Sequence, residues 1–212
     1  MKFFHLNILE IVMINKLIFT LFIGALYPTI NSFYGYTIAR NSKVFPPITD
    51  PPKVLSSVHK KTWKCNDCNY SEKETLRFLQ KRGITDKYAL ATVMGNIKQE
   101  SNFISNICEG GHRVSYHRCR SGGYGLIQWT SPNRYYGLGR YANNTGGDPS
   151  SIRTQLNYMI TEREWKDYEP VLKYSGKSID YYMYYAYGWL GWGIHGNRTY
   201  YAYNYLDKLT WS

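Results

Sequence analysis

The chain lacks the common nucleic-acid signatures: no helix-turn-helix, RNP motif or zinc finger of standard spacing occurs in its 212 residues. Nucleic acid is therefore not an expected partner. No internal repeat is present, which removes repeat architectures. Acidic residues are scarce, 15 against 26 lysines and arginines, leaving a formal net charge of +11 and a pI near 9.4. Such a chain is drawn to polyanions, among them anionic lipid surfaces and bacterial cell wall with its acidic polymers. Charge by itself does not choose between them. Cysteine is limited to four residues with one C-x2-C pair, so a four-thiolate zinc site lacks its second half. The apolar run from Leu17 to Ile30 is shorter than the ~20 residues of a comfortable membrane span.

Aromatic residues, by contrast, are abundant: 17% of the chain, with 22 tyrosines. Tyrosine has a flat apolar face and a hydroxyl at its rim, which suits both packing and carbohydrate contact. Most of them are expected to build the core. A hydrophobic fraction of 43% rules out a wholly disordered chain. The length suits one well-buried domain plus an appendage.

The organisation falls into three parts. Residues 1–39 read as a signal peptide or a retained signal anchor: Lys16 precedes the apolar run, and Met13 offers an internal start with the short basic n-region MINK. Export is the favoured outcome, although no clean small-x-small cleavage site stands out. Residues 40–62 read as a linker, because two Pro-Pro pairs favour extended backbone. Residues 63–212 form the folded domain, expected to be mainly α with a small β-hairpin near residues 112–129.

Within that domain Ser71 and Glu74 form a capping-box pattern that opens a helix closed by Gly83. Asp86 is the expected N-cap of the next helix, in which Leu90, Val93, Met94 and Ile97 share one buried face. Residues 104–123 look like loop or hairpin, and Tyr124–Thr130 like a glycine-led apolar strand. Asp148-Pro149 is expected to start a helix with Ile152, Leu156, Met159 and Ile160 inward. Ser178 caps another helix reaching about Trp189, and Arg198 to Leu206 forms the last.

The chemistry is expected at Glu100. At about 100° per residue, it lies beside Val93 on the helical wheel, at the margin of the buried face. A carboxyl half-sunk against apolar side chains loses solvation of its charged form, so its pKa rises. That is how a general acid stays protonated near neutrality. The later segment Gly125-Leu126-Ile127-Gln128-Trp129-Thr130 supplies an amide and an indole. An acid facing a groove lined by amide and aromatic groups is what glycoside cleavage needs.

The run Ala91-Thr92-Val93-Met94-Gly95-Asn96-Ile97-Lys98-Gln99-Glu100-Ser101-Asn102-Phe103 resembles the A-x-x-x-G-N-x-x-x-E-S-x-F opening of the phage tail lysozyme family. The segment Gly125–Thr130 is similar to that family's second block, and Arg134 follows at a familiar offset. Goose-type lysozymes and lytic transglycosylases share the Glu-Ser-x-Phe and Gly-Leu-x-Gln elements. The resemblance spans roughly residues 72–206. It implies a lysozyme-like α-rich fold acting on the β-1,4 bond between N-acetylmuramic acid and N-acetylglucosamine, with Glu100 at the general-acid position.

Glu109 and Ser115 resemble the remaining members of the Glu-x8-Asp/Cys-x5-Thr spacing of short phage lysozymes, which makes Glu109 a candidate second carboxylate. Gln128, Trp129 and Tyr124 are the candidate substrate-binding residues, with Tyr135 and Tyr136 as further groove candidates. The glycine-tryptophan stretch from Tyr184 to Gly196 suits either a far groove wall or a packed helix end. His195 within it is a candidate base set against the more ordinary structural role.

An even cysteine count behind an export signal favours disulfides. Cys108–Cys119 would close the glycine-rich loop and Cys65–Cys68 would form a tight local bridge, while crossed pairings fit the sequence equally. Zinc on these thiolates, or on His112 and His117, and a redox role for Cys65-Asn66-Asp67-Cys68 are the rivals. No metal or cofactor is expected. The leading function is a muramidase, exported or virion-associated, with bacterial peptidoglycan as partner. The alternatives are a lytic transglycosylase and a non-catalytic wall-binding module.

Overall fold

The computed structural model of the protein describes residues 61–120 and 122–212. The signal or anchor segment expected over 1–39, and the linker up to residue 60, lie outside the described residues. The elements run β1 (Trp63–Lys64), α1 (Tyr70–Lys81), α2 (Lys87–Ser101), β2 (Ile107–Cys108), β3 (His112–Arg113), a 3-10 turn (Tyr116–Arg118), α3 (Pro132–Thr145), α4 (Ile152–Met159), α5 (Arg163–Leu172), α6 (Ile179–Leu190), α7 (Arg198–Lys208) and β4 (Thr210–Trp211). The architecture is mainly helical, as expected, with two small two-stranded sheets where a single hairpin was expected. No helix among the described residues is long and apolar enough to cross a membrane.

Helix α2 is the centre of the fold. Every residue from Ala89 to Ile97 is buried, and a helix buried on all sides needs neighbours all round. It packs most extensively on α7, then on α6 and α1. Asp86 caps its start: one carboxylate oxygen accepts from the Tyr88 and Ala89 amides at 2.9 Å each. The other accepts from Gly176 N at 2.8 Å, tying the helix start to the loop before α6.

Two residues in α2 set its packing on α7 and α6. A Cβ on Gly95 would lie 2.5 Å from the Ala202 backbone nitrogen and 2.7 Å from its Cα. Only glycine permits that contact, because the obstruction is backbone, which cannot swing aside. Asn96, fully buried, donates to Thr92 O at 2.9 Å and meets the Met183 sulfur of α6 at 3.3 Å. The Gly-Asn pair of the first sequence block is thus joinery between three helices.

Several boundaries differ from those expected. Helix α1 is capped by Asn69 and Glu72 rather than Ser71 and Glu74: Asn69 Oδ1 accepts from Glu72 N at 3.0 Å and Glu72 Oε2 accepts from Asn69 N at 2.7 Å. Both pairs have capping-box spacing, and Glu74 instead pairs with Arg77 on the helix surface. Helix α4 is capped by Ser151, not Asp148; Asp148 Oδ1 accepts from Ser150 N and closes a turn through Pro149. Helices α3 and α5 were not expected. The hairpin lies at residues 107–113; Tyr124 makes a single antiparallel bridge to Cys108, and Gly125–Gln128 is a turn rather than a strand.

The tyrosine expectation holds only in part. Tyr116, Tyr124, Tyr158, Tyr168, Tyr182 and Tyr205 are buried, but Tyr136, Tyr184, Tyr187, Tyr200 and Tyr203 are among a larger exposed set. Helix α6 shows the division: Ile179, Tyr182, Met183, Ala186 and Trp189 face inward while Tyr184 and Tyr187 face out. Antiparallel pairing of β1 with β4 places Trp63 opposite Trp211, with ring centroids 5.0 Å apart.

Substituting Gly95→Ala is expected to destabilise the domain by about 1–3 kcal/mol through overpacking against α7. A urea-denaturation midpoint that does not fall would show that α2 and α7 are free to separate.

Candidate active site

Glu100 sits in the last turn of α2, and the residues after it fix where its carboxyl points. Asn102 ends the helix at φ 52° and Phe103 follows at φ 60°, so the chain turns through two successive left-handed residues. Phe103 is buried and packs edge-on against Tyr205 of α7. Ser101 is buried and its Oγ donates to Leu126 O at 2.8 Å. That bond fastens the acid-bearing helix end to the second sequence block.

The second block is a tight loop. Gly125 takes φ 73° and Gln128 φ 51°, with Gln128 N donating to Gly125 O and Trp129 N to Tyr124 O. Gln155 of α4, fully buried, locks the loop from beneath. Its Oε1 accepts from Leu126 N at 2.9 Å, and its Nε2 donates to Ser105 O at 2.6 Å and Pro149 O at 2.7 Å. A Cβ on Gly125 would collide with that amide.

A cleft of about 720 Å³ opens between this loop and the turn joining α6 to α7. Glu100, Gln128, Thr130, Arg134, Trp192 and Arg198 are among the residues lining it. Glu100 is the only carboxylate among the described residues that line it. Its side chain is 14% exposed, and Oε1 accepts from the Arg198 guanidinium. Arg198 is itself held on three sides: Nη1 donates to Ile194 O at 3.2 Å and His195 O at 2.7 Å, and the guanidinium lies over the Trp192 ring at 4.5 Å.

Helix electrostatics explain the pairing. Glu100 is at a helix C-terminus and Arg198 at a helix N-terminus, each the unfavourable end for its own charge. Packing α2 against α7 sets the carboxylate beside the α7 N-terminus and the guanidinium beside the α2 C-terminus, so each is stabilised by the neighbouring helix. Burial is the largest influence on Glu100 and pushes its pKa up; Arg198 beside it, and Arg134 further off, pull it back down. The net direction is up.

A family profile described as phage tail lysozyme matches residues 71–207. The chain belongs to the phage tail lysozyme family. No curated protein and no solved structure matches it. The family ties the chain to phage and to peptidoglycan-lytic activity in general.

Within this phage tail lysozyme domain the expected site residues separate. Glu100 and Gln128 face the same cleft. Trp129 does not: it is fully buried, and its indole N–H donates to Glu162 Oε2 at 2.9 Å. Arg134 grips the same carboxylate through bonds of 2.7 and 2.9 Å. Trp129 is thus part of the core support for Arg134 rather than a sugar platform. Tyr124 is also fully buried, its hydroxyl on Ser150 Oγ and Val114 O.

Glu109 is exposed, accepts from Gly123 N at 2.9 Å and does not line the Glu100 cleft. Ser115 precedes the 3-10 turn as its N-cap. Tyr135 and Tyr136 line the neighbouring pocket instead. His195 is exposed, bonded to Thr199 and edge-on to Trp192. The disulfides are Cys108–Cys119 and Cys65–Cys68, which withdraws the thiolates from the zinc reading. His112 and His117 belong to no group of metal-ligating side chains among the described residues.

Arg198, Gln155 and Glu162 were not anticipated. Arg198 had one legible signal, a cation in the first turn of a helix, where the macrodipole opposes it. Glu162 is 4% exposed at its side chain. Glu162→Gln is expected to lower stability by about 3 kcal/mol, because it leaves Arg134 short of its partner in a buried setting. Calorimetric or urea unfolding checks this, and an unchanged midpoint would make the triad a surface ornament.

Proposed function

We propose that the domain cleaves the glycan strand of peptidoglycan at the β-1,4 bond between N-acetylmuramic acid and N-acetylglucosamine, with Glu100 as general acid. The observation that carries this is the one carboxylate in an open cleft whose burial raises its pKa. Protonated Glu100 delivers its proton to the glycosidic oxygen as the bond to the muramyl anomeric carbon breaks. Arg198 engages Oε1, and among the described residues none donates to Oε2, so Oε2 is the oxygen available to carry that proton. Gln128 offers a side-chain amide at the cleft wall for an N-acetyl or hydroxyl group of the sugar.

Water completes the reaction in the muramidase reading, giving a reducing muramyl end. The lack of a second carboxylate among the described cleft residues favours a second reading as well. In a lytic transglycosylase the muramyl 6-hydroxyl attacks the anomeric carbon and gives a 1,6-anhydro end. Mass spectrometry of digested wall separates the two, because the anhydro product carries one water fewer. Phage origin and virion association fit a tail-borne enzyme meeting the wall at entry; the basic net charge would hold it there.

Glu100→Gln is expected to lower the rate on purified wall by at least about a hundredfold, the usual scale of a general acid. Digestion at the wild-type rate would sink the assignment, and sedimentation of both proteins with undigested wall would point to a binding module.

A pH profile tests Arg198. Activity needs the protonated acid, so it falls as pH rises through the Glu100 pKa. The Arg198 charge holds that pKa down, so Arg198→Gln should move the alkaline limb to higher pH. A limb that stays put or moves lower would show that the guanidinium does not act on the acid.

A further inference from the structure

The Glu100 cleft is continued on one side by a second pocket, of about 670 Å³, that shares Thr130 as a lining residue. Its walls come from α3, through Tyr135, Tyr136 and Arg140, and from the loop stapled by Cys108–Cys119, through His117 and Arg120. The pocket carries no acidic side chain among its described lining residues. Arg120 and Arg140 are both exposed, and neither forms an ion pair among the described residues. Glu109, the carboxylate of the same loop, is turned to the Gly123 amide.

The floor is rigid. Tyr135 stacks on Tyr116 with centroids 4.4 Å apart, and its hydroxyl donates to the carbonyls of Tyr116 and Cys119. Gly139 leaves room for the Tyr116 hydroxyl, which a Cβ would approach to 2.7 Å. The exposed Tyr136 ring forms one rim. Two solvent-exposed guanidiniums line this pocket beside the fixed aromatic floor, and arginine grips carboxylates with two parallel hydrogen bonds.

We propose that this pocket binds the carboxylates of the peptide stems that hang from the muramyl residues, so that the domain reads stem-bearing glycan rather than bare sugar. The proposal rests on the reading that the adjoining cleft holds the glycan strand. Stems project from the muramic acid at the bond being cut, so an anion site in the pocket adjoining the acid's cleft is placed to meet them.

The test uses peptidoglycan stripped of its phosphate polymers, either native or with its stem carboxylates converted to neutral amides by carbodiimide and ammonia. Binding is measured with the full chain carrying Glu100→Gln, so that nothing is consumed. Arg120→Gln with Arg140→Gln is expected to weaken binding to native wall about tenfold, the scale of losing hydrogen bonds to a charged group. It should change binding to amidated wall by less than about twofold. Equal losses on both walls, or none on native wall, would overturn the proposal. A loss seen only on wall that keeps its phosphate polymers would also overturn it, giving the pocket to phosphate. Wall that the inactive chain binds but the wild type never digests would instead sink the cleavage reading and leave the stem pocket standing.

Discussion

The site depends on how closely two helices can approach. Where α2 crosses α7, the Gly95 backbone lies against that of Ala202 with no room for a methyl group. That contact brings the C-terminal end of one helix to the N-terminal end of the other, and with it Glu100 to Arg198. A larger residue at position 95 would separate the two ends and leave a buried carboxylate and a buried guanidinium each without its counter-charge. The asymmetry is severe, since an unpaired buried charge is far more costly than an unmade surface pair.

Around this crossing the two sequence blocks serve mostly as architecture. Gly95 and Asn96 set helix spacing, Ser101 binds the loop carbonyl, Asn102 and Phe103 turn the chain, and Gly125 makes room for Gln155. One residue in the first block, Glu100, faces the cleft with a group able to transfer a proton, and Gln128 is its counterpart in the second. On the proposed reading, a motif of this kind specifies a position for one acid by constraining everything beside it.

Much of the helical core could be read from the sequence: the caps at Asp86 and Ser178, the burial of Leu90, Val93, Met94 and Ile97 and the last helix all appear where expected, although α2 is buried all round and not on one face. The errors have physical causes. Overlapping Asn-x-x-Glu and Ser-x-x-Glu patterns cannot be told apart until the chain before Asn69, held by Cys65–Cys68, is placed. An indole beside an amide in a loop looks like a sugar platform, yet Trp129 found a buried acceptor in Glu162, a residue 33 positions on that no local pattern connects to it. Long-range polar partners such as Gln155 and Arg198 carry no periodic signal. The partial burial of Glu100 could be expected from its place at the end of a core helix, whereas its guanidinium partner lies 98 residues away.

The hydrogen bond from Ser101 to Leu126 has a consequence for remodelling the domain. Helix end and loop are one mechanical unit, pinned from below by Gln155 as well, so the loop is not a portable cassette. Exchanging it for a relative's version would drag the acid with it. Variation in what the domain accepts is thereby steered to the two flanks, the wall on α3 and the turn after α6, where side chains such as Arg140, Tyr136 and Ile194 stand in solvent and can change without moving the acid.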